Sequence, residues 1–174
     1  MKNFIPRGNK TRRERVKKEV SKTYPFSACV VSVINDININ LIYRNLACFA
    51  GKDFYIIGSN KWHRGATNGL EEIIRIKYFQ NFNKFFQYID KETNYKLVAV
   101  EQAENSISIE NIDFYPENIC FVFGNEAFGL TSDVLLKSNM TIEIPMKGFH
   151  PCLNVSNASA IIFHDFIKKM KNEM

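Results

Sequence analysis

The sequence lacks most of the short signatures by which binding sites declare themselves. Its 174 residues contain no Gly-x-Gly-x-x-Gly and no Gly-x-x-x-x-Gly-Lys-Ser/Thr, so neither a Rossmann dinucleotide site nor a P-loop has support. No Gly-x-Ser-x-Gly elbow is present, which removes the usual mark of a serine hydrolase. The four cysteines, Cys29, Cys48, Cys120 and Cys152, form no Cys-x-x-Cys pair. That spacing argues against a zinc ribbon or a disulfide scaffold and for reduced thiols. The three histidines lie far apart, so no metal site is expected. No apolar run approaches the 18 or so residues of a membrane span. The basic N-terminus has no apolar core of a secretory signal, so a cytoplasmic protein is expected. There is no internal repeat and no low-complexity linker.

What is present suits one globular domain with a real core. Hydrophobic residues make up 45% and charged residues 24%, ordinary values for a folded protein. The formal charge of +5 is concentrated at one end. Residues 1–24 carry nine Lys or Arg and two Glu, whereas residues 25–174 carry fourteen basic and sixteen acidic residues. A basic arm on a near-neutral body gains affinity for polyanions by displacing counterions. Arg12, Arg13, Arg15, Lys17 and Lys18 are its candidate contacts to a polyanion. The arm reads equally well as a solvated tail, and it does not distinguish nucleic acid from an anionic membrane.

Hydrophobic periodicity predicts alternating strands and helices over the remainder. Ala28–Ile34 is a buried strand, followed from about Asn38 by a helix that Gly51 stops as a C′ residue. Phe54–Ile57 is the second strand. Residues 58–70 form a polar loop in which Lys61, His63 and Arg64 surround Trp62, a mixture suited to phosphates and stacked bases. Tucking of Trp62 into the core is the stronger reading for that ring. Glu71–Tyr78 fits a short helix or a strand. Asn83–Glu92 is a helix, Tyr95–Glu101 a strand, and Phe121–Phe123 lies in the next strand. Ser132–Ser138 is a short helix, Thr141–Ile144 a strand, and Ala158–Met170 the last helix, with Ala158, Ile162, Phe166 and Met170 on its inner face. This alternation implies an α/β protein with a mostly parallel sheet and helices on both faces.

Three late segments each run from an apolar stretch into a polar loop: Phe121 to Leu130, Ile142 to Met146, and Cys152 to Ala158. Asn154 or Ser156 can cap the helix that follows the third. In an open α/β sheet, loops at the carboxyl ends of neighbouring strands form the ligand crevice.

These segments resemble the TrmH/SpoU branch of the SPOUT RNA methyltransferases. The family's Asn-x-Gly-x-x-x-Arg is similar to Asn38 through Arg44. Its Gly-Asn/Pro-Glu-x-x-Gly is similar to Gly124 through Gly129. Its Ile-Pro-Met followed by Ser-Leu/Met-Asn-Val/Leu-Ser is similar to Ile144-Pro145-Met146 and Cys152-Leu153-Asn154-Val155-Ser156. The resemblance covers about residues 28–170. Arg64-Gly65-Ala66 and Val100-Glu101-Gln102 also look like the members that act on a D-loop guanosine of tRNA.

The resemblance implies a C-terminal trefoil knot, a rare exception to ordinary chain topology, and a homodimer with its sites near the subunit interface. It implies S-adenosylmethionine as methyl donor, held largely by main-chain groups at Glu101, Gln102, Gly124, Ile144, Cys152 and Leu153. The reaction implied is methyl transfer to a ribose 2′-hydroxyl of structured RNA, tRNA ahead of rRNA. Arg44 would stand at that hydroxyl. A protonated guanidinium suits a phosphate clamp or a stabiliser of developing alkoxide better than a general base, so the base stays unassigned. Asn38 would orient Arg44 or a phosphate, Glu126 would hold the loops, and Asn154 would fix the last loop against the cofactor.

Two positions depart from the family pattern. Asn40 replaces a glycine, which a helical or left-handed backbone tolerates. Cys152 replaces a serine, and a thiol is larger and a weaker hydrogen-bond partner than a hydroxyl. The competing expectation from another class is therefore a catalytically silent RNA-binding or assembly protein on the same fold. A membrane-surface protein using the basic arm is the third.

Overall fold

The computed structural model describes residues 23–58, 74–113, 115 and 118–171. The basic arm and the loop carrying Trp62 and Arg64 lie outside them. Among the described residues seven strands form one sheet: β1 (Phe26–Val31), β2 (Asp53–Ile57), β3 (Arg75–Phe79), β4 (Lys96–Val100), β5 (Ile107–Ser108), β6 (Ile119–Phe123) and β7 (Met140–Glu143). Their order is β3-β2-β1-β6-β4-β7-β5, and every pairing is parallel. Parallel neighbours require crossovers, made here mainly by α1 (Asp36–Cys48), α2 (Phe82–Glu92) and α3 (Ser132–Lys137), while α4 (Val155–Lys171) follows the last strand and packs back on the sheet.

The central strands are apolar on both faces, as a doubly covered parallel sheet demands. Phe26, Ala28, Val30, Phe54, Val98, Phe121 and Phe123 point to one layer, where they meet Ile39, Ile42, Tyr43 and Leu46 of α1 and Ile162, Phe163 and Phe166 of α4. Cys29, Tyr55, Ile57, Leu97, Ala99, Cys120 and Val122 point to the other, against Phe85 and Ile89 of α2 and Val134 of α3. The first layer is built on aromatic contacts: Phe26 lies 5.2 Å from Phe163 and 5.1 Å from Phe166, with Phe121 5.7 Å from Phe166. Cys29 and Cys120 are free and fully buried. Burial pushes both thiols up, so they serve as small core hydrophobes.

Several boundaries differ from expectation for local reasons. The helix expected from Asn38 starts at Asp36, because Asn35 accepts the Ile37 N–H at 2.9 Å and caps it. It ends at Cys48 with Phe49 as cap, and the C′ residue is Ala50, not Gly51: Ala50 takes the left-handed conformation (φ 58°). The N–H groups of Gly51 and Ala50 then reach back to the carbonyls of Leu46 and Ala47, the Schellman pattern. Gly51 is small because a Cβ there would run into the Leu46 side chain. Within the described part of the ambiguous stretch at 71–78, a strand begins at Arg75. Arg75 of β3 pairs with buried Asp53 of β2 at 2.7 Å, and Asp53 also accepts from the Tyr95 hydroxyl at 3.0 Å. The expected start of the last helix moves from Ala158 to Val155.

The two-residue β5 and the single turn Ile109–Asn111 had no periodic signal. They bring Ile109, Ile112 and Tyr115 under α4, where the Tyr115 hydroxyl donates to Asp165 at 2.7 Å.

The fold predicts a steep cost for thinning the aromatic layer. Phe166, fully buried among Phe26, Tyr115 and Phe121, should lose about 3–5 kcal/mol of stability on replacement by alanine, read as a lower urea midpoint.

Candidate active site

A parallel sheet has a single carboxyl edge, and the segments leaving β1, β4, β6 and β7 all emerge there. Those after β4, β6 and β7 enclose a cavity of about 570 Å³, within the range of small-ligand sites.

The segment after β6 is fixed largely by its own backbone. Asn125 and Gly129 exchange N–H to carbonyl bonds at 3.1 and 2.9 Å. The Asn125 side chain accepts from the N–H groups of Ala127 and Phe128, at 2.8 and 3.0 Å, and donates to the Ser32 carbonyl at 2.8 Å. Gly129 has φ 65° and packs against the Glu101 carboxylate. A side chain at Gly124 would collide with Gly129, with its Cβ 2.5 Å from the Gly129 carbonyl carbon. Glu101 accepts the N–H groups of Leu130 (2.8 Å) and Gln102 (3.1 Å), so it joins the loops after β4 and β6.

A second set of bonds ties this loop to the two ends of the domain. Glu126 accepts from the N–H groups of Ile34 and Asn35, at 3.1 and 3.2 Å, and from Asn38 Nδ2 at 2.8 Å. Asn38 is buried on α1, and its Oδ1 accepts from Asn154 Nδ2 at 3.0 Å. Asn154 caps α4, accepting from the Ser156 N–H at 2.9 Å and the Ser156 hydroxyl at 2.6 Å. Ser156 is thus a recipient of the cap, not the cap. One turn along, Asn45 donates to the Ser156 carbonyl at 2.8 Å and the Ser159 hydroxyl at 2.9 Å, closing the seam between α1 and α4. Burial raises the Glu126 carboxyl, but the bonds from Asn38, Ile34 and Asn35 outweigh it and leave the group below its ordinary value. It therefore stays an ionised acceptor near neutral pH.

The six residues expected at a cofactor, Glu101, Gln102, Gly124, Ile144, Cys152 and Leu153, all border the cavity, as do Glu126 and Asn154. Asn38 lies behind them, bonded to both Glu126 and Asn154. Arg44 is apart: it is exposed on α1, does not border the cavity, and has no hydrogen bond or ion pair among the described residues.

The SpoU rRNA Methylase family model matches residues 25–164. This chain belongs to that family. It is 24% identical over 168 residues to the "tRNA (guanosine(18)-2′-O)-methyltransferase" of Escherichia coli strain K12, covering 94% of this chain and 72% of that one. Its fold is that of the A. aeolicus TrmH/SpoU tRNA modifying enzyme, with TM-score 0.77, 24% identity and coverage of 92% and 85% of the two chains. The SpoU methyltransferase AviRb from Streptomyces viridochromogenes, solved with AdoMet, superposes with TM-score 0.74 at 16% identity over 89% of this chain and 64% of that one.

In this SpoU family member the cavity also includes residues that pattern alone left unmarked. Glu143 ends β7 and accepts from the Ser106 hydroxyl at 2.6 Å, and nothing in its strand period distinguishes it from a solvated strand end. Phe128 and His150 also border the cavity. His150 Nδ1 stands 2.9 Å from the Cys152 carbonyl and 3.9 Å from its Sγ. Asn40 sits inside α1, where a helical backbone makes the missing glycine unnecessary.

The pH dependence of this SpoU domain follows from Glu126. Its native carboxyl lies below the ordinary 4.5, so its contribution to stability is complete above that value and is lost as pH falls through the lower native one. Between about pH 6 and pH 3 the urea midpoint of Glu126→Gln should fall less steeply than that of the wild type.

Proposed function

We propose that this protein transfers the methyl group of S-adenosylmethionine to a ribose 2′-hydroxyl of tRNA. The charge of the cavity carries the reading. Glu101, Glu126 and Glu143 border it, and among the described residues no lysine or arginine does. Such a lining suits a cationic sulfonium ligand and disfavours a polyphosphate. Main-chain groups at Gly124, Ile144 and Leu153, with the Gln102 carbonyl, would read an adenine edge. The cofactor supplies an activated methyl group, leaving the protein to align the hydroxyl and remove its proton. tRNA is favoured over rRNA by the activity for which the E. coli relative is named.

Residues of this chain then divide the work. Glu126, Asn38 and Asn154 hold the three segments in register. Arg44 clamps a phosphate or stabilises the developing alkoxide, and the basic arm with Arg12, Arg13, Arg15, Lys17, Lys18 and Arg64 contributes cations for the RNA backbone. The C-terminal segment threads the family's knot. This fits the way β6 and β7 each enter the sheet beside β4, between strands laid down earlier.

Arg44 needs a second subunit on this reading. Ile37, Leu41, Arg44 and Cys48 fall on one exposed stripe of α1, spaced three and four residues apart. A homodimer that covers this stripe buries Ile37 and Leu41 and carries each Arg44 toward the partner's cavity.

The test is label transfer from S-adenosylmethionine to unfractionated tRNA and to rRNA. Label on tRNA ribose is expected, falling by about 10²-fold or more in Arg44→Ala. Mixing Arg44→Ala with Asn154→Ala subunits should restore roughly a quarter of the activity, since half the dimers are mixed and each completes one of its two sites. Cofactor binding without transfer to any RNA would contradict the proposal and favour a silent RNA-binding protein, with Cys152 as the first suspect.

A further inference from the structure

Phe128 is 88% exposed yet borders the cavity. Single exposed apolar rings are common on protein surfaces, but this one stands on a fixed support. Its own N–H is held by Asn125 at 3.0 Å, and the Asn125–Gly129 pair closes the loop beneath it. Little backbone freedom remains to be lost when a partner meets the ring. On the other loop bordering the cavity, Phe149 is fully exposed beside His150.

We propose that Phe128 is a stacking platform for an unpaired nucleobase of the RNA, with Phe149 as a second platform on the neighbouring loop. This rests on the reading of the cavity as a methyl-transfer site for RNA and deepens it. A ribose hydroxyl that reaches the cavity brings its own base, or the next one, to the rim. Among the described residues of one subunit the cavity offers carboxylates and no lysine or arginine, so its rim repels a phosphate, and cations for the backbone come from outside it. An uncharged ring face is the contact that the local charge permits. Unpaired bases present free faces to aromatic side chains, whereas paired bases do not. A second copy of the chain is the rival occupant, and its apolar stripe runs along α1 through Ile37 and Leu41, on a different element.

The test measures dissociation constants for unfractionated tRNA and for a blunt RNA duplex of about 20 base pairs, with S-adenosylhomocysteine saturating. Wild type, Phe128→Ala and Phe128→Trp are compared, and subunit mass is followed by light scattering. Phe128→Ala should weaken tRNA binding at least about fivefold, the lower end for one stacked base, and leave duplex binding and mass unchanged. Phe128→Trp should retain tRNA affinity.

Affinity of Phe128→Ala within twofold of wild type would overturn the proposal. Equal losses on tRNA and duplex, failure of Phe128→Trp, or a fall in mass would overturn it too, the last assigning the ring to a second copy. Methyl transfer by the wild type is scored separately. Its absence alongside Phe128-dependent tRNA binding would refute the methyltransferase reading and leave the stacking site standing. No binding of tRNA by the wild type would overturn both.

Discussion

The Glu126 carboxylate gathers donors from the turn after β1 and from Asn38 of α1, and through Asn38 it reaches Asn154 at the head of α4. The two side-chain links span 88 and 116 residues of sequence, so they form only when the sheet and both helices are in place. Each amide in this chain uses donor and acceptor at once. Removing any member leaves a neighbour with an unmatched polar group, and that loss exceeds the value of one hydrogen bond. The cavity is therefore a product of tertiary order, not of any one loop.

Topology explains why the loops meet. A wholly parallel sheet sends every strand end to the same edge, and the placement of β6 and β7 on either side of β4 brings three chain segments side by side. Gly124 and Gly129 allow the backbones to touch, and Glu101 fastens the contact by accepting the Leu130 N–H. All three carboxylates at the cavity, Glu101, Glu126 and Glu143, thus already accept hydrogen bonds within the fold. The field they leave behind still favours a cation, which links the scaffold's hydrogen bonding to the choice of ligand.

Much of this was legible in the sequence. The apolar runs at 54–57 and 121–123 carried no polar break, which is what burial on both faces requires, and each became a central strand. The strand expected over 28–34 became β1 but stops at Val31, where Ser32 turns left-handed (φ 53°) and Ile34 is left exposed. The expectation of helices on both faces is met by α1 and α4 on one side and α2 and α3 on the other. The Gly124–Gly129 and Asn154–Ser156 segments were readable because close backbone approach and helix capping restrict residue type. Other features left no such trace. β5 is too short for a period, and β3 carries the mixed pattern of an edge strand. Ala50 accepts a left-handed backbone because Gly51 is committed to making room for Leu46, a tertiary demand. Glu143 gained its place from Ser106, 37 residues away.

The account stands on the claim that Glu126 and Asn154 act as one unit in shaping a site for S-adenosylmethionine. Calorimetric titration of that ligand into wild type, Glu126→Ala, Asn154→Ala and the double variant tests it most directly. The wild type should bind, each single variant should bind at least roughly tenfold more weakly, and the double variant should be no weaker than the worse single one. Absence of binding by the wild type, or losses that simply add, would contradict the account.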